Sequence, residues 1–308
     1  MSIAKQLQDL VFRLNRGVPV FTREWSITIA DFYKELPPGL MALSGAGASD
    51  PVVGQLLSLH KLLRWARFGM PVFSLTHSAA AAFSLTDSDS VPTTNFRPPF
   101  STFLIQLPTP WLTLDDGAAI RGFFWHEARD AERHRVLIRA IGENPRKALL
   151  EGITPHPCEF KTIGDWLNRP TLAEGLSRPL VLTLARLLVS MCLYITANGR
   201  GEPLSKSAKR IDASPGYVAA GTEPAIWMTG REVKIDRALV QAAVDFSESD
   251  RKGATGWKLR SRFTVRGHFR NQAHGPGRAL RKLRWIEPHW KGPRDGVGIA
   301  HLYDPKTR

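Results

Sequence analysis

Arg266, His268 and Arg270 recur at every second position of the segment 263–270, a spacing that sets all three on one face of an extended strand. Arg278, Arg281, Lys282, Arg284, Trp285, Trp290 and Lys291 follow shortly after. Phosphate recognition needs several cations on one surface, because each neutralised phosphate releases counterions and adds an increment of affinity. Aromatic rings interleaved with arginine add faces on which unpaired bases or peptide groups stack. These ten residues are therefore the candidate nucleic-acid-binding set. From Arg251 to the end there are fifteen Lys and Arg against Glu287, Asp295 and Asp304, which is +12 of the net +14. Everything before is nearly neutral. A charge so localised exceeds what solubility requires and points to a polyanionic partner.

Catalytic signatures are lacking by comparison. Gly45-Ala46-Gly47 misses the third glycine of a dinucleotide loop and reads as a turn. In His126-Glu127-Ala128-Arg129-Asp130, Asp130 stands where a zinc-protease helix has its second histidine, and the run continues a strand. His156-Pro157-Cys158 has neither the paired cysteines nor the glutamate of a nucleobase deaminase. No catalytic residue, metal ligand or cofactor is assigned from the sequence. Cys158 and Cys192 are too few for a disulfide framework and read as buried free thiols, in keeping with a reducing cytoplasm.

The elements that must carry these residues fall into three stretches. Residues 1–100 read as mainly helical. Ile3, Leu7, Leu10, Val11 and Leu14 share one helical face, and Asp50-Pro51 starts a second helix with a stripe of Val52, Leu56, Leu59 and Leu63. Residues 101–246 read as an α+β core. Short β-branched and aromatic runs at 102–107, 111–114, 120–125 and 135–141 form an antiparallel sheet packed on helices, chief among them the apolar run Leu180–Ile195. That run is shorter than the ~20 residues a bilayer requires and contains Arg186, so it is expected as a central buried helix, with no membrane involved. A further helix is expected at 235–246, and a polar linker at 247–256. Residues 257–308 form a basic β segment: a strand at 263–270, a turn at 271–277, and a second extended run at 281–288 that aligns Lys282 with Arg284. The fold class is thus α+β, an antiparallel sheet on helices with a basic C-terminal strand pair.

Arg266-Gly267-His268-Phe269, a glycine-rich turn, a basic strand, and Trp285 before Pro288 resemble the C-terminus of a family of type V-A anti-CRISPR proteins. Leu107-Pro108, Leu114-Asp115-Asp116-Gly117, Gly122-Phe123-Phe124-Trp125, the run 182–194, Gly201-Glu202-Pro203-Leu204-Ser205 and Glu223-Pro224 resemble its other segments in the same order. The resemblance covers about two-thirds of the chain, from near Leu104 to Trp290, while the first hundred residues and the turn 271–277 depart from the family's pattern.

This resemblance implies a protein of a bacterial mobile element that acts without catalysis in the host cytoplasm. It implies recognition of the nascent N-terminal peptide of the type V effector nuclease, or of another target, with loss of its message. The partners are then that nascent polypeptide and the ribosome or mRNA, a polyanionic setting suited to the +12 segment. Phe123, Phe124 and Trp125 are the candidates for peptide contact, with core packing of a strand as the other reading. A DNA-binding regulator, and a nuclease using His268 or His126 as general base, are the alternatives.

Overall fold

The structure, a computed structural model, describes residues 65, 69–109, 111–114, 117–129, 134–143, 148–168, 178–210, 224–233, 262–291 and 298–299. The expected helices at 3–14, after Pro51 and at 235–246, and the linker 247–256, lie outside them. Two compact units interleave along the chain. The first groups the described residues up to Ser74 with Phe100–His156 and Pro203–Trp227. The second groups Leu75–Pro99, Pro157–Glu202 and the described residues from Met228 onward. The expected α+β class holds: sheets packed against a few helices.

Strands β1 (Pro71–Leu75), β2 (Thr102–Gln106), β5 (Gly122–Arg129), β6 (His134–Ile141), β7 (Ala148–Pro155), β8 (Glu202–Pro203) and β9 (Ala225–Thr229) form a seven-stranded sheet. Its order is β7-β6-β5-β2-β1-β9-β8. Strands β3 (Leu112–Thr113) and β4 (Ala119–Ile120) make a separate small pair. The expected runs β2, β5 and β6 pair antiparallel, and so does the unexpected β7, but β1 pairs β2 in parallel. The sheet is therefore mixed.

Register explains why both of its faces read as apolar. Val72, Leu104 and Phe124 align on one face, where Trp65 meets Phe124 edge-on at 5.6 Å and donates from Nε1 to the Pro71 carbonyl at 2.9 Å. Phe73, Ile105 and Phe123 align on the other, joined by Phe103 and Trp125. Trp227 stacks on Phe73 there at 5.4 Å. Gly122 is required by proximity: a Cβ would lie 2.4 Å from the Ile105 carbonyl oxygen.

The second unit is organised by helix α3 (Arg178–Asn198). Leu187–Ile195 are all buried, so the helix is apolar around its circumference, as a central helix must be. Val181–Asn198 is long and apolar enough to cross a membrane, yet 61% of it is buried inside the protein. Helix α1 (His77–Ser84) packs on α3, its N-terminus capped by Thr76 Oγ1, which accepts from the Ala79 N–H at 3.1 Å. Helix α2 (Ile163–Leu167) opens with a reciprocal capping box between Thr162 and Asp165. Helix α4 (Lys206–Arg210) is short.

Strands β10 (Arg262–Val265), β11 (His268–His274), β12 (Leu280–Ile286), β13 (His289–Lys291) and β14 (Gly298–Ile299) follow. Strand β10 lies between β13, antiparallel, and β14, parallel. Strands β11 and β12 form a hairpin of their own. The single strand expected over 263–270 is therefore broken at Arg266-Gly267. The cause is steric and polar together. The Gly267 carbonyl accepts from the Asp87 N–H at 2.7 Å, and a Cβ at Gly267 would lie 2.7 Å from Thr86 Oγ1.

A cationic hairpin as candidate nucleic-acid interface

The hairpin β11–β12 is held at its base and open along its length. At the base, Phe269 pairs across the strands with Trp285, and both are buried. The Trp285 ring meets Phe83 of α1 at 5.5 Å and Tyr194 of α3 at 5.2 Å, and those two rings lie 5.1 Å apart. Trp285 Nε1–H donates to Thr86 Oγ1 at 3.2 Å, and that hydroxyl donates to the Ala82 carbonyl at 2.7 Å. Aromatic pairs of this kind add ~0.5–1.5 kcal/mol each beyond area burial. Trp285, grouped with the binding residues from the sequence, is thus only 8% exposed and anchors the hairpin instead of offering a ring for stacking.

Beyond the anchor, every residue from Arg270 to Arg284 is exposed except Ala273 and Leu283, which are half-buried. The register sets Arg270 opposite Arg284, Gln272 opposite Lys282 and His274 opposite Leu280. Directly opposed like charges disfavour a strand pair. No Asp or Glu occurs between His268 and Ile286 to neutralise them. Arg284 Nη1 donates to Gln272 Oε1 at 3.1 Å, which steadies the guanidinium on the exposed face.

The turn is built for this hairpin. Gly277 and Arg278 both adopt left-handed φ, 59° and 56°, and the Ala279 N–H returns to the Pro276 carbonyl at 3.3 Å. The turn therefore occupies 275–279 instead of the expected 271–277, because residues 271–274 pair with 280–283. Glycine adopts left-handed φ freely, but Arg278 does so at a cost of ~1–2 kcal/mol. A strained, exposed cation at the tip is a feature that folding alone does not explain.

The remaining sequence-derived residues are dispersed. Arg281 lies on the hairpin's other face, Arg266 and His268 are half-buried at its base, and Trp290 and Lys291 sit on β13. His268 Nδ1 lies 3.2 Å from the Arg266 carbonyl. Phe123, Phe124 and Trp125 are buried in the sheet of the first unit, so no ring face is offered to a peptide in this conformation. His126 is also buried, stacked on Phe124 at 5.3 Å with Nδ1 3.4 Å from Thr102 Oγ1, out of reach of a polymer substrate. Cys192 is buried as expected, but Cys158 is exposed on the turn Pro157–Glu159.

One polar cluster escaped sequence reading because strand register assembles it. The rings of His134 and His156 stack at 3.8 Å with planes 3° apart. Glu127 places Oε2 3.8 Å from His134 Nε2 and Oε1 3.7 Å from His156 Nε2. Histidine and carboxylate are both metal-ligating types. As placed, the carboxylate lies within 3.8 Å of both imidazoles.

The sequence that builds this hairpin also matches a known family. The family model described as AcrVA2-like, the anti-CRISPR type V subtype A2 family, matches residues 73–292. The chain belongs to the AcrVA2-like family. The match takes in the sheet from within β1 onward, α1, α3 and the complete cationic hairpin. A crystal structure of AcrVA2 superposes with a TM-score of 0.50 at 16% identity, covering 93% of each chain. At that identity it speaks for the fold alone. No curated protein matches the chain by sequence. As a member of the AcrVA2-like family the chain is an anti-CRISPR protein, and the cationic hairpin lies wholly within the matched residues.

Proposed function

We propose that this anti-CRISPR protein is a non-enzymatic regulator that recognises a nascent target peptide and associates with ribosomal or messenger RNA, so lowering expression of its target. The target class is the type V effector nuclease, and the setting is the cytoplasm of a bacterial host. The observation that carries the RNA contact is the hairpin face with Arg270, Lys282 and Arg284 exposed together and no acid between His268 and Ile286. Several cations on one solvent-facing surface favour a phosphate backbone. Family membership favours a type V target. The burial of His126 favours binding over RNA cleavage, since its imidazole cannot touch a reacting phosphate.

The test is a reporter carrying the first codons of the nuclease, expressed in cells with and without the chain. The proposal expects protein and message to fall together only when those codons are translated in frame. It also expects the purified chain to leave the same RNA intact. Message loss from an untranslated reporter, or cleavage of naked RNA, would overturn it.

A further inference from the structure

The hairpin's two faces differ in a way that bears on the form of nucleic acid it takes. One face carries Arg270, Gln272, His274, Leu280, Lys282 and Arg284; the other carries Asn271, Ala273, Arg281 and Leu283 above the buried Phe269 and Trp285. Resting on the RNA-binding reading above, we infer that the hairpin docks through the first face alone and that its ligand is a single unpaired strand lying along β12.

Strand geometry sets the size of the patch. Lys282 and Arg284 are two residues apart on β12, about 7 Å along the strand. Arg270 stands across from Arg284 with Cβ atoms ~5 Å apart. Three cations within so small a triangle meet neighbouring phosphates of one backbone. An RNA duplex presents its wide, shallow minor groove with a backbone on either side, so it would ask for cations spread more widely. The deep, narrow major groove of an RNA duplex is closed to side chains, and the hairpin's second face offers only Arg281 between half-buried Ala273 and Leu283.

The far end of the docking face supplies what an unpaired strand needs besides phosphate neutralisation. Leu280 is 56% exposed, unusual for a large apolar side chain, and His274 is its cross-strand neighbour on the same face. An imidazole beside an apolar side chain gives a flat surface on which a splayed base can stack. Bases inside a duplex are already stacked and cannot use it.

The experiment is fluorescence anisotropy of the full chain with a labelled single-stranded RNA of mixed sequence and with the duplex of the same length, across a KCl series. The single strand is expected to bind at least about tenfold tighter. The triple variant Arg270→Ala, Lys282→Ala, Arg284→Ala is expected to flatten the salt slope by about 2, at ~0.7 for each phosphate no longer neutralised. Arg281→Ala is expected to change affinity less than about twofold, and Leu280→Ala to weaken the single strand but not the duplex. A triple variant that binds every RNA like the original, with an unchanged circular dichroism spectrum, overturns the RNA reading and this inference with it. A triple-variant effect accompanied by equal duplex affinity, or by an Arg281→Ala loss as large as that of Arg284→Ala, overturns this inference and leaves the RNA reading standing.

Discussion

Gly267→Ala should unseat the hairpin, and the structure sets the scale. The new Cβ would lie 2.7 Å from Thr86 Oγ1 and 3.0 Å from Pro288 Cδ. Thr86 cannot turn away freely, because its hydroxyl accepts from Trp285 Nε1 at 3.2 Å and donates to the Ala82 carbonyl at 2.7 Å. Opening the clash costs about 1–3 kcal/mol of overpacking, and loosening the two hydrogen bonds adds roughly 1 kcal/mol. The expected loss is about 2–4 kcal/mol, read as a lower urea midpoint by tryptophan fluorescence. Gly277→Ala is the control: nothing lies within 4 Å of its Cβ, so only its φ of 59° opposes the change and ~1 kcal/mol is expected. Thr86→Ala combined with Gly267→Ala should be less destabilising than the sum of the two by at least about 1 kcal/mol, since both act on one clash. If Gly267→Ala costs no more than Gly277→Ala, Thr86 and Gly267 do not anchor the hairpin as described.

Arg278→Gly should release the left-handed strain and raise stability by up to about 1 kcal/mol in urea titration. Trp285→Phe keeps a ring between Phe83 and Tyr194 but removes the donor to Thr86, so a loss of about 1–2 kcal/mol is expected, against ~3–5 for Trp285→Ala. Equal losses for the two Trp285 variants would mean that the aromatic cluster contributes nothing beyond that hydrogen bond.

Local pattern carried much of the fold into the sequence. The run Leu180–Ile195 is apolar around nearly its whole circumference, and that alone identifies a central helix. The alternation in β11 and β12 correctly aligns His268 with Arg270 and Lys282 with Arg284. What failed depended on distant partners. The break at Gly267 is set by Thr86 and Asp87, and the burial of Trp285 by Phe83 and Tyr194, all far away in sequence. Leu150, Gly152 and Thr154 do not alternate cleanly in polarity with their neighbours, so β7 left no strand signature. The parallel pairing of β1 with β2 is equally silent, because strands covered on both faces read as unbroken apolar runs. The Glu127–His134–His156 cluster exists only through the register of β5, β6 and the residue after β7.

Whether the exposed hairpin is where this anti-CRISPR protein meets RNA can be read in the cell itself. Ultraviolet cross-linking in translating cells, followed by mass spectrometry of RNA-modified peptides, maps the residues that touch RNA. Cross-links are expected to concentrate between Arg270 and Arg284 and to vanish in the Arg270, Lys282 and Arg284 triple substitution. Cross-links confined to other segments, or RNA adducts that survive the triple substitution undiminished, would place the RNA elsewhere and refute the proposal.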